Sequence, residues 1–242
     1  MRTNFLLIVF IFIACACYCQ TVEPASGIEQ HAIQLEFESQ YAIEKENNQK
    51  LNYWSLPSLL LRYGLLSKVE FQFNLPVVRE RLFVDNKLVE ESNDFGDMQI
   101  GMSIDLWKQK SILPEAALMV RAIVPVGNAR DTMAAGTIIS LNLMNKLGNQ
   151  LFIGYNLGLV RQPDGFSSGF YILNLTYEIS QKLHFFIEQF GDFTFDDFLS
   201  HNLNIGFGGT ISRNLALDLS FGKGLSAKMN YVGMILTWVL KS

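Results

Sequence analysis

Along most of this chain, large apolar residues fall on every second position, and small or polar residues fill the positions between. A period of two gives an extended chain one oily face and one polar face. The pattern is cleanest from 202 to 224. There Leu203, Ile205 and Phe207 lead into a tight turn at Ser212, Arg213 and Asn214, and Leu215, Leu217, Leu219 and Phe221 return. The residues between them are Asn, Gly, Ala, Asp and Ser. This predicts a β-hairpin. The same alternation predicts strands near 31–43, 51–63, 69–77, 98–106, 115–124, 137–144, 151–159, 171–179, 183–190 and 231–240, which makes twelve with the hairpin. The second strand is blurred. Tyr53, Leu59, Leu61 and Tyr63 fall in phase, but Trp54, Leu56, Pro57 and Leu60 interrupt.

The predicted connections alternate in length. Those after even-numbered strands are short, and those after most odd-numbered strands are longer and more polar. The longest is a charged loop at 79–95. An even number of antiparallel strands, with short turns on one rim and longer loops on the other, predicts an all-β, closed up-and-down transmembrane β-barrel of about twelve strands. No helical period intervenes, which excludes a parallel α/β sheet.

In a soluble, lipocalin-like barrel the oily face would point inward. Twelve strands with four or five bulky residues each would overfill such an interior, so the oily face is expected to meet lipid. Tyr41, Tyr63, Phe71, Trp107, Tyr171, Tyr177, Phe221 and Trp238 stand near strand ends, as interfacial girdles require.

Composition agrees. Mean hydropathy is +0.19, and charged residues are 17% of the chain, against roughly 25% in ordinary globular domains. Beyond the N-terminus no 18-residue apolar run suggests a membrane helix. A net charge of −4 gives nucleic acid nothing to bind.

Residues 1–19 read as a signal peptide. Met1 and Arg2 open it, an apolar stretch from Phe5 to Ala14 follows, and small residues permit cleavage before Gln20. Lipidation at Cys15 or Cys17 is the competing reading. All 3 cysteines lie here, so the mature chain would hold no disulfide. Without Arg2 the balance is 18 basic to 23 acidic residues. Residues 20–30 are a polar lead-in, and 31–242 are the barrel. The expected partners are outer-membrane lipid and lipopolysaccharide, the barrel-assembly machinery and an unidentified small solute.

Four segments resemble a family of small bacterial outer-membrane barrels described as transporters or as meta-pathway phenol-degradation proteins. They are LRYGLLSKVEFQF (61–73), FGDMQIGMSIDLW (95–107), LPEAALMVRAIVPVGN (113–128) and LTYEISQKLHFFIEQFG (175–191). The shared features are an arginine-tyrosine-glycine turn (Arg62, Tyr63, Gly64), a glycine-aspartate pair opening a strand (Gly96, Asp97), a proline near a sheet end (Pro125, with Gly127) and a late glutamate (Glu188). The resemblance implies an outer-membrane barrel engaged in transport. The chain departs from it at the C-terminus, where Trp238 is displaced from the end.

If polar faces point inward, the lumen receives Glu36, Glu38, Arg62, Glu70, Asp105, Glu115, Arg121, Glu178, Glu188 and Asp218. Strand direction puts Arg62, Glu70, Asp105 and Glu115 near the periplasmic end, with Arg121 higher. Such residues either line a pore favouring cations or polar neutral solutes, or cross-link and fill a small lumen. Catalysis is not expected. The 3 histidines are His31, His184 and His201, and Ser200 and His201 are neighbours on an extended chain, facing opposite ways. Metal ligands do not cluster, and no cofactor is expected. Gly206, Gly208 and Gly209 open no helix, so they make no phosphate loop and are expected to let the sheet curve. The function expected is passive passage of a small solute. The alternative is a closed structural or adhesion barrel working through 79–95.

Overall fold

The computed structural model describes residues 22–126, 134–194 and 197–240. The predicted signal peptide, both lipidation candidates and Gly127 lie outside them.

Fourteen strand segments form one sheet: β1 (Ile33–Glu46), β2 (Gln49–Leu66), β3 (Val69–Leu75), β4 (Val77–Val84), β5 (Lys87–Phe95), β6 (Met98–Trp107), β7 (Glu115–Val124), β8 (Gly136–Leu147), β9 (Leu151–Arg161), β10 (Ser167–Ser180), β11 (Leu183–Phe193), β12 (Asn202–Ser212), β13 (Leu215–Gly224) and β14 (Met229–Leu240). Every pairing is antiparallel, and β1 bonds both β2 and β14, so the sheet closes. Closure leaves no free edge in hydrocarbon, where an unpaired peptide group would cost several kcal/mol.

The barrel itself has twelve staves, because two pairs of segments are single staves with a break. β2 pairs β3 through its second half and β4 through its first, while β6 pairs β3 and β5 pairs β4. Pro76, which has no N–H to give the ladder, separates β3 from β4, and Gly96 and Asp97 separate β5 from β6. The predicted charged loop at 79–95 is therefore a correction. It is a hairpin that raises the wall, turning at Asp85 and Asn86 with φ of 50° and 61°, the left-handed pair of a type I′ turn.

The second strand also needs correction. A bulge at Leu56 and Pro57 flips the phase, so Ser55 pairs Gln40 while Ser58 pairs Glu38. Tyr53 consequently faces the lumen with 7% exposure, and Trp54 faces out beside Tyr41.

Elsewhere the oily face looks outward. Ile205, Phe207, Leu157 and Phe221 are exposed at 44–59% on the surface of a sealed sheet. Leu219 stands in the same row as Phe207 and Met234. Such a surface is stable only against lipid.

Depth should show in mutants. Phe207→Arg, midway along β12, is expected to destabilise the barrel by about 2–4 kcal/mol in lipid, and Ile211→Arg, beside the turn at Arg213, by about 0–1 kcal/mol. Denaturant titration in phospholipid vesicles measures both. Equal penalties would contradict the outward assignment.

Candidate solute channel

The lumen is not uniformly polar. Its lower and middle parts carry ions. Its upper part, toward the longer loops, carries Tyr53, Phe170, Ile172, Phe190, Met229 and Tyr231, which form one apolar cluster with Ala42. These residues sit on lumen-facing positions that alternate with the lipid-facing ones. Glycine opposite them makes the room: a Cβ on Gly158 would strike the Phe170 ring, and one on Gly222 the Tyr231 ring. Gly206 likewise sits under Phe186, so these glycines seat rings that cross the lumen.

The middle of the lumen is a ladder of polar side chains on neighbouring staves. Arg62, on β2, lies 3.6 Å from Glu36 and donates two hydrogen bonds of 2.8 and 3.0 Å from Nη2 to the carboxylate of Glu70 on β3. Gln72 donates to the same carboxylate and accepts 2.8 Å from Arg121 Nε on β7. Arg62, Glu70, Gln72 and Arg121 are all at most 6% exposed. The register runs Arg62, Gln72, Gly101, Arg121, so Arg121 shares one hydrogen-bonded row with Arg62. A Cβ at Gly101 would collide with the Arg121 backbone and side chain.

The ladder holds a segment that sequence reasoning left as a polar lead-in. Residues 22–28 lie inside the barrel, and Glu29, Gln30 and His31 are exposed at its lower rim. Arg121 Nη2 reaches Glu23 Oε1 at 2.6 Å. The Glu23 amide donates to Asn156 Oδ1 at 2.7 Å, and Asn156 returns a bond to the Glu23 carbonyl at 3.0 Å. Lower down, the Gly27 amide donates to Asp105 at 2.7 Å and the Ile28 amide to Glu70 at 3.0 Å. The Val22 amide donates to Glu188 at 3.1 Å, and Asn174 donates to the same oxygen. Asp105 also receives Lys108 at 3.0 Å. The sequence signal was faint: small or apolar Val22, Ala25, Gly27, Ile28 and Ala32, with no period.

Two cavities flank this segment. The upper one, of about 220 Å³, has a polar side with Glu36, Glu38, Gln40, Arg62, Gln99 and Arg121, and an apolar side with Tyr53, Met119, Ile123, Val160, Phe170 and Ile172. The lower one, of about 160 Å³, runs past Thr176, His184, Phe186, Asn204, Asp218 and Ser220. Val22, Glu38 and Ile235 line both, so they form the neck between them. Small residues on β13 and β14, Ser220 and Gly233, leave the lower cavity its space.

Of the ten residues assigned to the lumen from sequence, Glu36, Glu38, Arg62 and Arg121 border the upper cavity, and Glu38 and Asp218 the lower. His184 Nε2 lies 2.8 Å from Asp218 without a well-aligned hydrogen bond. Glu70, Asp105 and Glu188 instead hold the inner segment. Glu115 and Glu178 stand near the lower rim and border neither cavity. Ser200 bonds Asp192 at 3.0 Å and His201 bonds Tyr171 at 2.8 Å, so the two neighbours serve different partners.

A closed barrel with an oily exterior and a lumen of two nearly joined cavities is a transmembrane barrel of the outer-membrane channel type. The sequence profile described as "Putative MetA-pathway of phenol degradation" matches residues 37–231, and the chain belongs to that family. No curated protein sequence matches it. Among solved structures, an outer membrane channel from Pseudomonas putida F1 superposes with a TM-score of 0.69 at 12% identity, covering 91% of this chain and 100% of that one. The translocator domain of the autotransporter NalP from Neisseria meningitidis superposes at 0.53 and 8% identity, covering 99% and 96%. The KdgM porin superposes at 0.51 and 9% identity, covering 86% and 98%. At these identities the likeness is one of fold.

The Arg121–Glu23 tie tests the inner segment. Arg121→Ala removes its bonds to Glu23 and Gln72 and leaves Glu23 without that charge partner. Single-channel conductance in planar bilayers is expected to rise, with more frequent openings. Conductance indistinguishable from wild type would mean that the segment does not restrict the lumen.

Proposed function

We propose that this protein is a passive channel of the outer membrane for small solutes with an apolar, ring-sized body and a polar edge. The observation that carries the reading is the pair of cavities meeting at Val22, Glu38 and Ile235. A lumen filled by cross-linked side chains would have no such series. A cavity of about 150 Å³ lined by apolar residues accommodates benzene, so the upper cavity, at about 220 Å³, has room for a substituted ring. Its two unlike sides suit an amphipathic guest: Phe170, Ile172 and Ile123 for the ring, Arg62, Arg121 and the carboxylates for a hydroxyl. The family description, which mentions phenol degradation, supports the same class of solute. Export by the 1–19 signal peptide and assembly into the outer membrane complete this reading, in which the protein conducts and does not catalyse.

Liposome uptake of radiolabelled phenol-type solutes and of neutral sugars of similar mass tests it. The purified chain is expected to admit the phenol several-fold faster, and Ile172→Asp to abolish that preference while the barrel still folds. Equal rates for both would defeat the solute class. No uptake of either would favour a closed barrel acting through its β4–β5 hairpin.

A further inference from the structure

The outer surface is not uniform around its upper rim. On β1, Lys45 stands directly across from Lys50 of β2, both on the outward face that Tyr41 and Trp54 occupy two pleats below. Arg79 pairs with Trp54, and Arg81 with Asn52, on that same face. Lys228 lies on the other side, its carbonyl 3.0 Å from the Lys45 amide, and Lys223 ends the outward row of β13. Six cations thus follow one another over adjacent staves. With strands about 4.8 Å apart, the row spans on the order of 20 Å. Along the described upper rim from β6 to β12, Arg161 is the outward cation.

The arginines are preorganised. Tyr41 and Trp54 stack with ring centroids 4.6 Å apart, and the guanidinium carbons of Arg79 and Arg81 lie 5.9 and 5.7 Å from the Trp54 ring. Both arginines also donate to Glu91, and those hydrogen bonds hold its carboxyl below the usual carboxylate range. Glu91 is thus ionised and offsets one positive charge of the six. The stacked rings mark the level where hydrocarbon gives way to headgroups. Arg79 stands beside the rings, Arg81 one pleat above them and Lys45 and Lys50 two pleats above, a range that takes in the depth of the phosphates of the outer leaflet. Guanidinium groups held in plane match phosphate oxygens, and lysines supply further charge.

We propose that this arc is a binding site for lipid A, the diphosphorylated glycolipid of the outer leaflet. Its phosphates lie between Lys45, Lys50, Arg79 and Arg81, and its acyl chains run down the apolar rows below Tyr41 and Trp54. The short turns at the opposite rim also carry cations, Lys68, Lys108, Lys110, Lys146, Lys182 and Arg213, but none is an arginine pair held over a stacked tyrosine and tryptophan.

The test uses the full mature chain in detergent and native mass spectrometry, with four probes: diphosphoryl lipid A, its dephosphorylated form, phosphatidylglycerol and inorganic phosphate. Wild type is expected to retain diphosphoryl lipid A and to hold the dephosphorylated form and phosphatidylglycerol at least tenfold more weakly. Replacing Lys45, Lys50, Arg79 and Arg81 together by Gln is expected to weaken lipid A binding about a hundredfold, while Lys182→Gln with Arg213→Gln leaves it unchanged. Heat-modifiable migration on gels shows that each variant is a folded barrel. Should the fourfold variant not fold, Lys45→Gln with Lys50→Gln is expected to weaken binding about tenfold, and Arg79→Lys with Arg81→Lys to keep most of it. Lipid A held equally by wild type and the folded variant overturns the site. So does equal retention of dephosphorylated lipid A, or a site that binds inorganic phosphate and not the lipid.

Discussion

A peptide group in hydrocarbon has no water to turn to, so its partner must lie within the protein. This one constraint explains most of the architecture. It requires closure of β1 on β14, and it gives the staves their oily outward alternation. Pro76 sits where one stave passes into the raised hairpin, and the bulge at Leu56 and Pro57 falls in the same wall. The hairpin's own strand β5 is exposed on both faces, which suits water and headgroups but not acyl chains.

Closing the sheet creates a second problem inside. A twelve-stave lumen must be filled, and the charges buried in it must be paired. The chain answers with the Arg62–Glu70–Gln72–Arg121 ladder and with its own residues 22–28. Breaking a buried ion pair by removing one partner typically costs about 3–5 kcal/mol, because the remaining charge is stranded. The ladder's polar groups therefore hold the inner segment by necessity of pairing as much as by attraction. Where the inner segment does not reach, space remains, and the two cavities are that space.

Most staves were legible because a lipid-facing strand keeps an oily residue at every second position, as Ile205, Phe207, Leu219 and Phe221 do. The charged stretch 79–95 was not legible as strand, because a hairpin standing in water on both sides has no oily face to alternate. The phase of Tyr53 was lost at Pro57, since a bulge is a matter of one residue and leaves composition unchanged. The ionic residues of the lumen could be named from alternation, but their roles could not. Alternation tells inside from outside. It does not tell that Glu70, Asp105 and Glu188 would be taken up by the chain's own amides, nor that the upper lumen would be apolar. Phe170 and Ile172 occupy positions equivalent to Asn174, and only the glycines facing them, such as Gly158, hint at rings lying across the lumen.

The inner segment has a consequence in time. Val22 meets Glu188, a partner 166 residues further along the chain, and Glu23 meets Asn156, 133 residues away. Contacts that distant form late, after the loop between them has been ordered. The inner segment, ahead of β1 in the chain, is thus among the last parts to reach its place. Until the run of staves from β7 to β11 is assembled, it has nowhere to dock, and the barrel must be nearly complete before this segment can be drawn in.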